Sequence, residues 1–182
     1  MQKALFLILL TLVLPVDDPK LVKVKISDKI TVMLPEEFIP MGELDFSQRY
    51  PSVRKPIGAY TNPEHEVDFS VNISATSWPD ANLEMAQKFF KSGVMNMYDR
   101  VEILSEGIHE VNGKKFIYLE FESRIKGNQA TLGESEAVLK YSYLQYWVEP
   151  SRTLVFSFNC PVRLKPEWQE TAGKIMNSIK LK

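Results

Sequence analysis

Polar and apolar residues alternate with period two over much of this chain, and the pattern predicts a protein built mainly of strands. In Lys20–Ser27, Val22, Val24 and Ile26 face one way, and Lys23 and Lys25 the other. Ser27-Asp28-Lys29 is a turn. Ile30, Val32 and Leu34 make the return strand, closed by Pro35, so the segment is a hairpin. Phe38 to Pro56 is richer in proline and polar residues and reads as a long ordered loop, of the kind that often carries function. Ile57–Asn62 is a short strand. Glu66 to Ala75 is the cleanest one: Val67, Phe69, Val71, Ile73 and Ala75 lie on one face, while Glu66, Asp68, Ser70, Asn72 and Ser74 lie on a wet or partly covered one.

The period then changes to that of a helix, from about Ala81 to Arg100. Asp80 is the expected N-cap, Glu84 lies in the first turn, and Leu83, Ala86, Phe89, Phe90, Val94 and Met97 form the apolar stripe. Met85, Met95 and Met97 read as core filler. Strands follow at Val101–Val111 and Lys114–Ile125, joined by Asn112-Gly113, the strongest short hairpin signal. In the second of these, Ile117, Leu119 and Phe121 face the core, and Tyr118, Glu120, Glu122 and Arg124 face outward. Gly127 to Gly133 is a loop, Glu134–Val148 a long strand, Pro150-Ser151 a turn and Arg152–Cys160 the last strand. A second helix runs from about Pro166 to Ile179 and buries Trp168, Ala172, Ile175, Met176 and Ile179. Hairpin connections dominate, so the predicted class is α+β, a mainly antiparallel sheet flanked by helices.

The first residues follow a different logic. Lys3 precedes an apolar run from Ala4 to Leu14, then come Pro15, the acidic pair Asp17–Asp18 and Pro19. The run is too short for a bilayer core, and the layout is that of a secretory signal over residues 1–16. No Cys lies near residue 16 to carry a lipid, and no stable membrane span is expected after processing. Residues 20–182 show no linker, charge block or repeat, and read as one domain.

Element order and particular residues together resemble the PsbP-like superfamily. An opening hairpin leads into Leu34-Pro35-Glu36-Glu37. One alternating strand, one long helix and a four-strand meander follow. A terminal helix comes after Phe158-Asn159-Cys160-Pro161 and ends in Ile175-Met176-Asn177-Ser178-Ile179. The superfamily includes the extrinsic oxygen-evolving protein of photosystem II, a Ran-GTPase release factor and many secreted bacterial proteins. The resemblance implies an α-β-α sandwich. It carries over no functional residue, because the members act as binding or assembly factors in unrelated systems.

Composition and chemistry narrow the function further. At 182 residues with 45% hydrophobic and 25% charged residues, the chain can bury a globular core; its net charge of −1 offers no basic excess for nucleic acid. The one cysteine, Cys160, shares the parity of Leu154, Phe156 and Phe158 and is expected to be buried. Of the two histidines, His65 sits in Glu64-His65-Glu66, read as a solvated turn rather than a metal site, and His109 is expected on a hairpin surface. Neither GxSxG, HExxH nor a glycine-rich phosphate loop occurs, and no cofactor or metal is expected. Glu120 and Glu122, like Glu134 and Glu136, are spaced two apart along a strand; Glu120 and Glu122 read as part of a cross-strand ion-pair ladder.

Aromatics remain as candidate recognition residues. Tyr141, Tyr143 and Trp147 share one strand face, and with Tyr60, Trp78 and Arg49 and Tyr50 of the long loop they can wall a groove. The reading that follows is a secreted or periplasmic, non-catalytic binding or accessory protein with a protein or small-molecule partner. The alternatives are a small carboxylate-dependent hydrolase or lyase with an aromatic pocket, and a stress-related structural protein.

Overall fold

A computed structural model describes residues 19–49, 55–76, 78, 82–125 and 137–182, with the side chains of 47–49 left out. The candidate signal segment, Tyr50, Asp80, Glu134 and Glu136 therefore lie outside the described residues.

The strands are β1 Leu21–Ser27, β2 Ile30–Pro35, β3 Ile39–Pro40, β4 Gly58–Thr61, β5 Asp68–Ile73, β6 Arg100–Val111, β7 Lys114–Ile125, β8 Val138–Glu149, β9 Arg152–Pro161 and β10 Lys180–Leu181. The helices are α1 Glu43–Arg49, α2 Leu83–Met97 and α3 Lys165–Asn177. Seven strands form one sheet in the order β3-β4-β5-β9-β8-β7-β6, and three form a second in the order β1-β2-β10. Every pairing is antiparallel. Asn112 and Gly113 turn β6 into β7 with φ of 49° and 78°, as a tight turn between right-twisted strands requires.

Alternation gives the large sheet two faces, and each is covered differently. On one face Leu154, Phe156, Phe158 and Cys160 of β9 join Phe69 and Val71 of β5 and Phe116 of β7. The small sheet and α3 cover them with Ile30, Val32, Leu34, Ala172, Ile175 and Met176. Trp168 of α3 packs between Phe38 and Phe158, with ring centroids 5.6 and 6.0 Å away. On the opposite face Ile117, Leu119 and Phe121 of β7 and Tyr146 of β8 receive Ala86, Phe90 and Val94 of α2. Phe90 stacks on Tyr146 at 4.3 Å. Lys91 Nζ to Glu106 Oε1, 2.7 Å, ties the helix to β6.

The expected fold class holds: helices flank a mainly antiparallel sheet. Several details differ. The segment Phe38–Pro56 holds β3 and α1 rather than loop alone. Among the described residues helix α2 begins at Leu83, where Asn82 Oδ1 accepts the Met85 amide at 3.0 Å and acts as the N-cap. It ends at Met97, and Arg100 already belongs to a strand. Met85, Phe89, Met95 and Met97 are exposed, so they are not core filler. A 15-residue helix resting on a flat sheet buries only the narrow arc of Ala86, Phe90 and Val94. Past α3, Lys180 and Leu181 pair with Thr31 and Ile30, a two-residue strand too short to give a period of its own.

Ile175 is fully buried between the two sheets. We expect Ile175→Ala to destabilise the fold by about 2–5 kcal/mol; urea denaturation measures it. Asn82→Ala, which removes only the cap of α2, should cost about 1 kcal/mol in the same experiment.

Candidate functional site

A tightly bonded turn between β4 and β5 builds one wall of the site. Asn62 Oδ1 accepts the amides of Glu66 and Val67, both at 2.9 Å, and Thr61 Oγ1 donates to the Val67 carbonyl at 2.9 Å. The His65 amide donates to the Asn62 carbonyl at 2.9 Å. These bonds hold His65 in the left-handed region, φ 56°, uncommon for a residue with a Cβ. Its Nδ1 lies 3.0 Å from Asp45 Oδ1, while Asp45 Oδ2 accepts the Gly42 amide, so α1 is pinned to the turn. The side chains of Glu64-His65-Glu66 diverge: Glu64 accepts from Asn62 Nδ2 at 2.7 Å, His65 meets Asp45, and Glu66 pairs with Arg163. Among the described residues no group of His, Cys, Asp and Glu is arranged to hold a metal ion.

Behind this turn lies a row of polar side chains crossing three strands. Asp68, Asn159 and Ser142 are register partners on β5, β9 and β8. Ser142 Oγ donates to Asn159 Oδ1 and Asn159 Nδ2 to Asp68 Oδ1, each at 2.9 Å. In the next row Ser70 and Ser157 bond to each other at 2.9 Å. The face read as wet or partly covered is thus buried at Asp68 (4% exposed) and Ser70 (0%), and it stays polar because every group named finds a partner. The row opens into a cleft of about 430 Å³ lined by His65, Glu66, Asp68, Val138, Leu139, Lys140, Asn159 and Pro161. Lys140 is half-buried and, among the described residues, forms no salt bridge with a carboxylate. Beside it Ile125, Val138 and Leu139 are 45, 57 and 52% exposed, and Ile125 pairs with Val138 in the sheet.

The aromatic candidates are dispersed. Tyr141, Tyr143 and Trp147 share the α3 face of β8, as their parity required, but Tyr141 and Tyr143 are buried and Trp147 is partly so, with Lys114 Nζ 5.8 Å from its ring. Tyr60 stands on that face too. Register places Phe69 and Phe158 between it and Tyr143, a separation of three strands, about 14 Å. Trp78 lies on the other side of the sheet, against Phe89 of α2 at 5.5 Å. Arg49 ends α1.

The carboxylates near these aromatics do not form a cross-strand ladder. Tyr141 OH and Gln169 Nε2 both donate to Glu120 Oε1, at 2.9 and 2.6 Å, and Lys165 Nζ meets Glu122 at 2.6 Å. Helix α3 has reached down to them, which strand alternation alone does not foresee. Burial, then the Glu120 charge, drives the Tyr141 phenol far above its usual range. Cys160 is fully buried, and burial followed by the Asp68 charge pushes its thiol up to about 12, so it stays protonated at neutral pH. His109 is not a free surface histidine either. Its Nε2 lies 2.7 Å from Gln145 Nε2, and its ring is 4.7 Å from that of Tyr118. Burial lowers its pKa below 6.5.

Two outcomes follow. Cys160 should resist a charged thiol reagent in the native protein at pH 8 and react at the rate of unfolding, as a stopped-flow thiol assay reads. The folded His109 resists a proton that the unfolded chain accepts, so its share of stability is full above pH 6.5 and declines as the pH falls from there towards its lowered value. His109→Gln should flatten the pH 7 to pH 5 limb of a denaturation series.

No protein-family model matches the chain, and no curated protein is similar to it in sequence. Solved structures are similar in fold. Cyanobacterial PsbP from Synechocystis superposes with a TM-score of 0.61 at 10% identity, over 92% of this chain and 96% of that one. The Ran-binding protein Mog1p of Saccharomyces cerevisiae gives 0.58 at 12% identity, over 90% and 96%. LpqN of Mycobacterium tuberculosis, described as involved in cell envelope biogenesis, gives 0.55 at 12%, over 90% and 91%. Among the described residues no helix is long and apolar enough to cross a membrane. With its meander of long strands, α2 on one face and α3 with a small sheet on the other, the chain has the PsbP-like fold.

Proposed function

We propose that this chain is an exported accessory protein of the cell envelope that recognises a protein partner at the cleft between the β4–β5 turn and the start of β8. The N-terminal pattern supports export: a basic residue, a short apolar run and an acidic boundary over residues 1–16, followed by one working domain. One observation carries the recognition reading. A rigid polar wall (His65, Asp68, Asn159) shares the cleft with Lys140, which forms no salt bridge among the described residues, and adjoins three exposed apolar side chains, Ile125, Val138 and Leu139. Exposed apolar residues grouped at a polar rim mark protein interfaces. Lys140 calls for an acidic group on the partner. Neighbours in fold point the same way, since one is named for binding Ran and another for envelope biogenesis.

The carboxylate-enzyme alternative has less to draw on. Glu120 and Glu122 are engaged by Tyr141, Gln169 and Lys165, and the thiol of Cys160 is shut away from solvent.

The test is cross-linking and co-purification from the envelope fraction with wild type and the L139D/K140E double variant. Both sites lie at the rim, so the melting temperature should be kept. The wild type should retain a partner that the double variant binds at least about tenfold more weakly. Equal recovery of every partner by both proteins overturns the site. N-terminal sequencing of the mature product checks export, and a mature chain that keeps Met1 overturns that part.

A further inference from the structure

A second cleft lies at the far end of the molecule, where the small sheet meets the β6–β7 turn and the end of α3. It encloses about 240 Å³ and is lined by Lys23, Thr31, Val32, Met33, Asn112, Asn177, Ser178 and Lys180, with no carboxylate among them. We propose that it binds a phosphate group, held between the ammonium groups of Lys23 and Lys180.

Strand order dictates the arrangement. Lys23 on β1 lies opposite Met33, and Lys180 on β10 lies opposite Thr31, so the two lysines flank β2 on its outer face. Two strand spacings across and two residues along put their backbones about 12 Å apart, a span that two lysine side chains close around one small anion. Both are exposed, and among the described residues neither forms a salt bridge with a carboxylate. Their neighbours do: Lys20 pairs with Glu36, Lys25 with Asp28, and Lys174 with Glu170. Glu36, Asp28 and Glu170 are thus engaged by other lysines, and no carboxylate lines the cleft beside Lys23 and Lys180.

The end of α3 would normally oppose an anion here, because its last carbonyls carry partial negative charge. That charge is answered from within the fold. Ser178 Oγ donates to the Ile175 carbonyl at 2.6 Å and accepts the Met33 amide at 2.8 Å, and the Ser178 amide also reaches the Ile175 carbonyl at 3.0 Å. Asn112, fixed in its left-handed conformation by the turn, donates Nδ2 to the Ile179 carbonyl at 2.8 Å. The Ile175 and Ile179 carbonyls are thus occupied, and the floor is held in place. What remains to be satisfied is two cations, and a doubly charged tetrahedral oxyanion gains more from two ammonium groups than a single carboxylate does.

The phosphate can be free or belong to a lipid headgroup, and two arms separate the sources. In the first, inorganic phosphate is titrated into the purified chain and the backbone amide resonances of Met33, Asn112 and Lys180 are followed at low ionic strength. In the second, the chain is floated with phosphatidylglycerol vesicles, against phosphatidylcholine vesicles. Saturable shifts in the first arm assign a free phosphate; selective flotation with weak shifts assigns a headgroup. In whichever arm responds, K23Q/K180Q should weaken binding about thirtyfold, since each lysine near an anionic surface contributes roughly a factor of five. K88Q, on the exposed side of α2, should leave it unchanged. Thermal melting of K23Q/K180Q verifies that the fold survives. A response in neither arm, or equal binding by K23Q/K180Q and wild type, overturns the proposal.

Discussion

The structure depends on a wide antiparallel sheet having to cover both of its faces. Strand β9 shows the constraint most directly. It lies between β5 and β8, and Leu154, Phe156, Phe158 and Cys160 all point to one side. A row of that size cannot face water, so α3 and the small sheet must close over it. Because α3 approaches β8 and β7 as well, it brings Lys165 and Gln169 to Glu122 and Glu120, which would otherwise be exposed charges on an outer face. The polar chemistry of that half of the molecule follows from hydrophobic covering.

The other face obeys the same rule with a different result. The buried arc of helix α2 spans only Ala86, Phe90 and Val94, which serve β6, β7 and part of β8. Towards β5 the same face changes composition to Asp68, Ser70, Ser142, Ser157 and Asn159. Side chains there are matched across strands by hydrogen bonds instead of by packing, which is the other way to bury a sheet surface without large loss. The cleft beside Lys140 opens where this hydrogen-bonded region runs out.

Most of the fold was legible in the sequence because its strands are long and alternate strictly. Val101–Val111, Asn112-Gly113 and Lys114–Ile125 differ from the observed hairpin by a single residue at one end. The family resemblance added the layer arrangement, which alternation alone does not give. The cleft was less legible. Asp68, Asn159 and Lys140 come from three segments that only sheet register brings together, and a polar residue on a strand reads as solvent-facing whether or not something covers it. The His65 turn left one trace, the polar cluster Asn62-Pro63-Glu64-His65-Glu66, but nothing in those letters tells that Asn62 takes two amides. The aromatic candidates show a related limit. Parity correctly grouped Tyr141, Tyr143 and Trp147, yet it does not reveal which face another element will occupy, nor that Trp78 crosses to the opposite side.

The three-stranded sheet also bears on how the chain assembles. Its middle strand, β2, is flanked by β1 from one end of the described chain and β10 from the other. During synthesis the β1–β2 hairpin is available early, but the helix that roofs its apolar face begins some 130 residues later and its third strand some 145 residues later, intervals that make closure of this layer a late, long-range event. Until then Ile30, Val32 and Leu34 lack the part of their cover that α3 supplies, which leaves apolar surface open to wrong contacts.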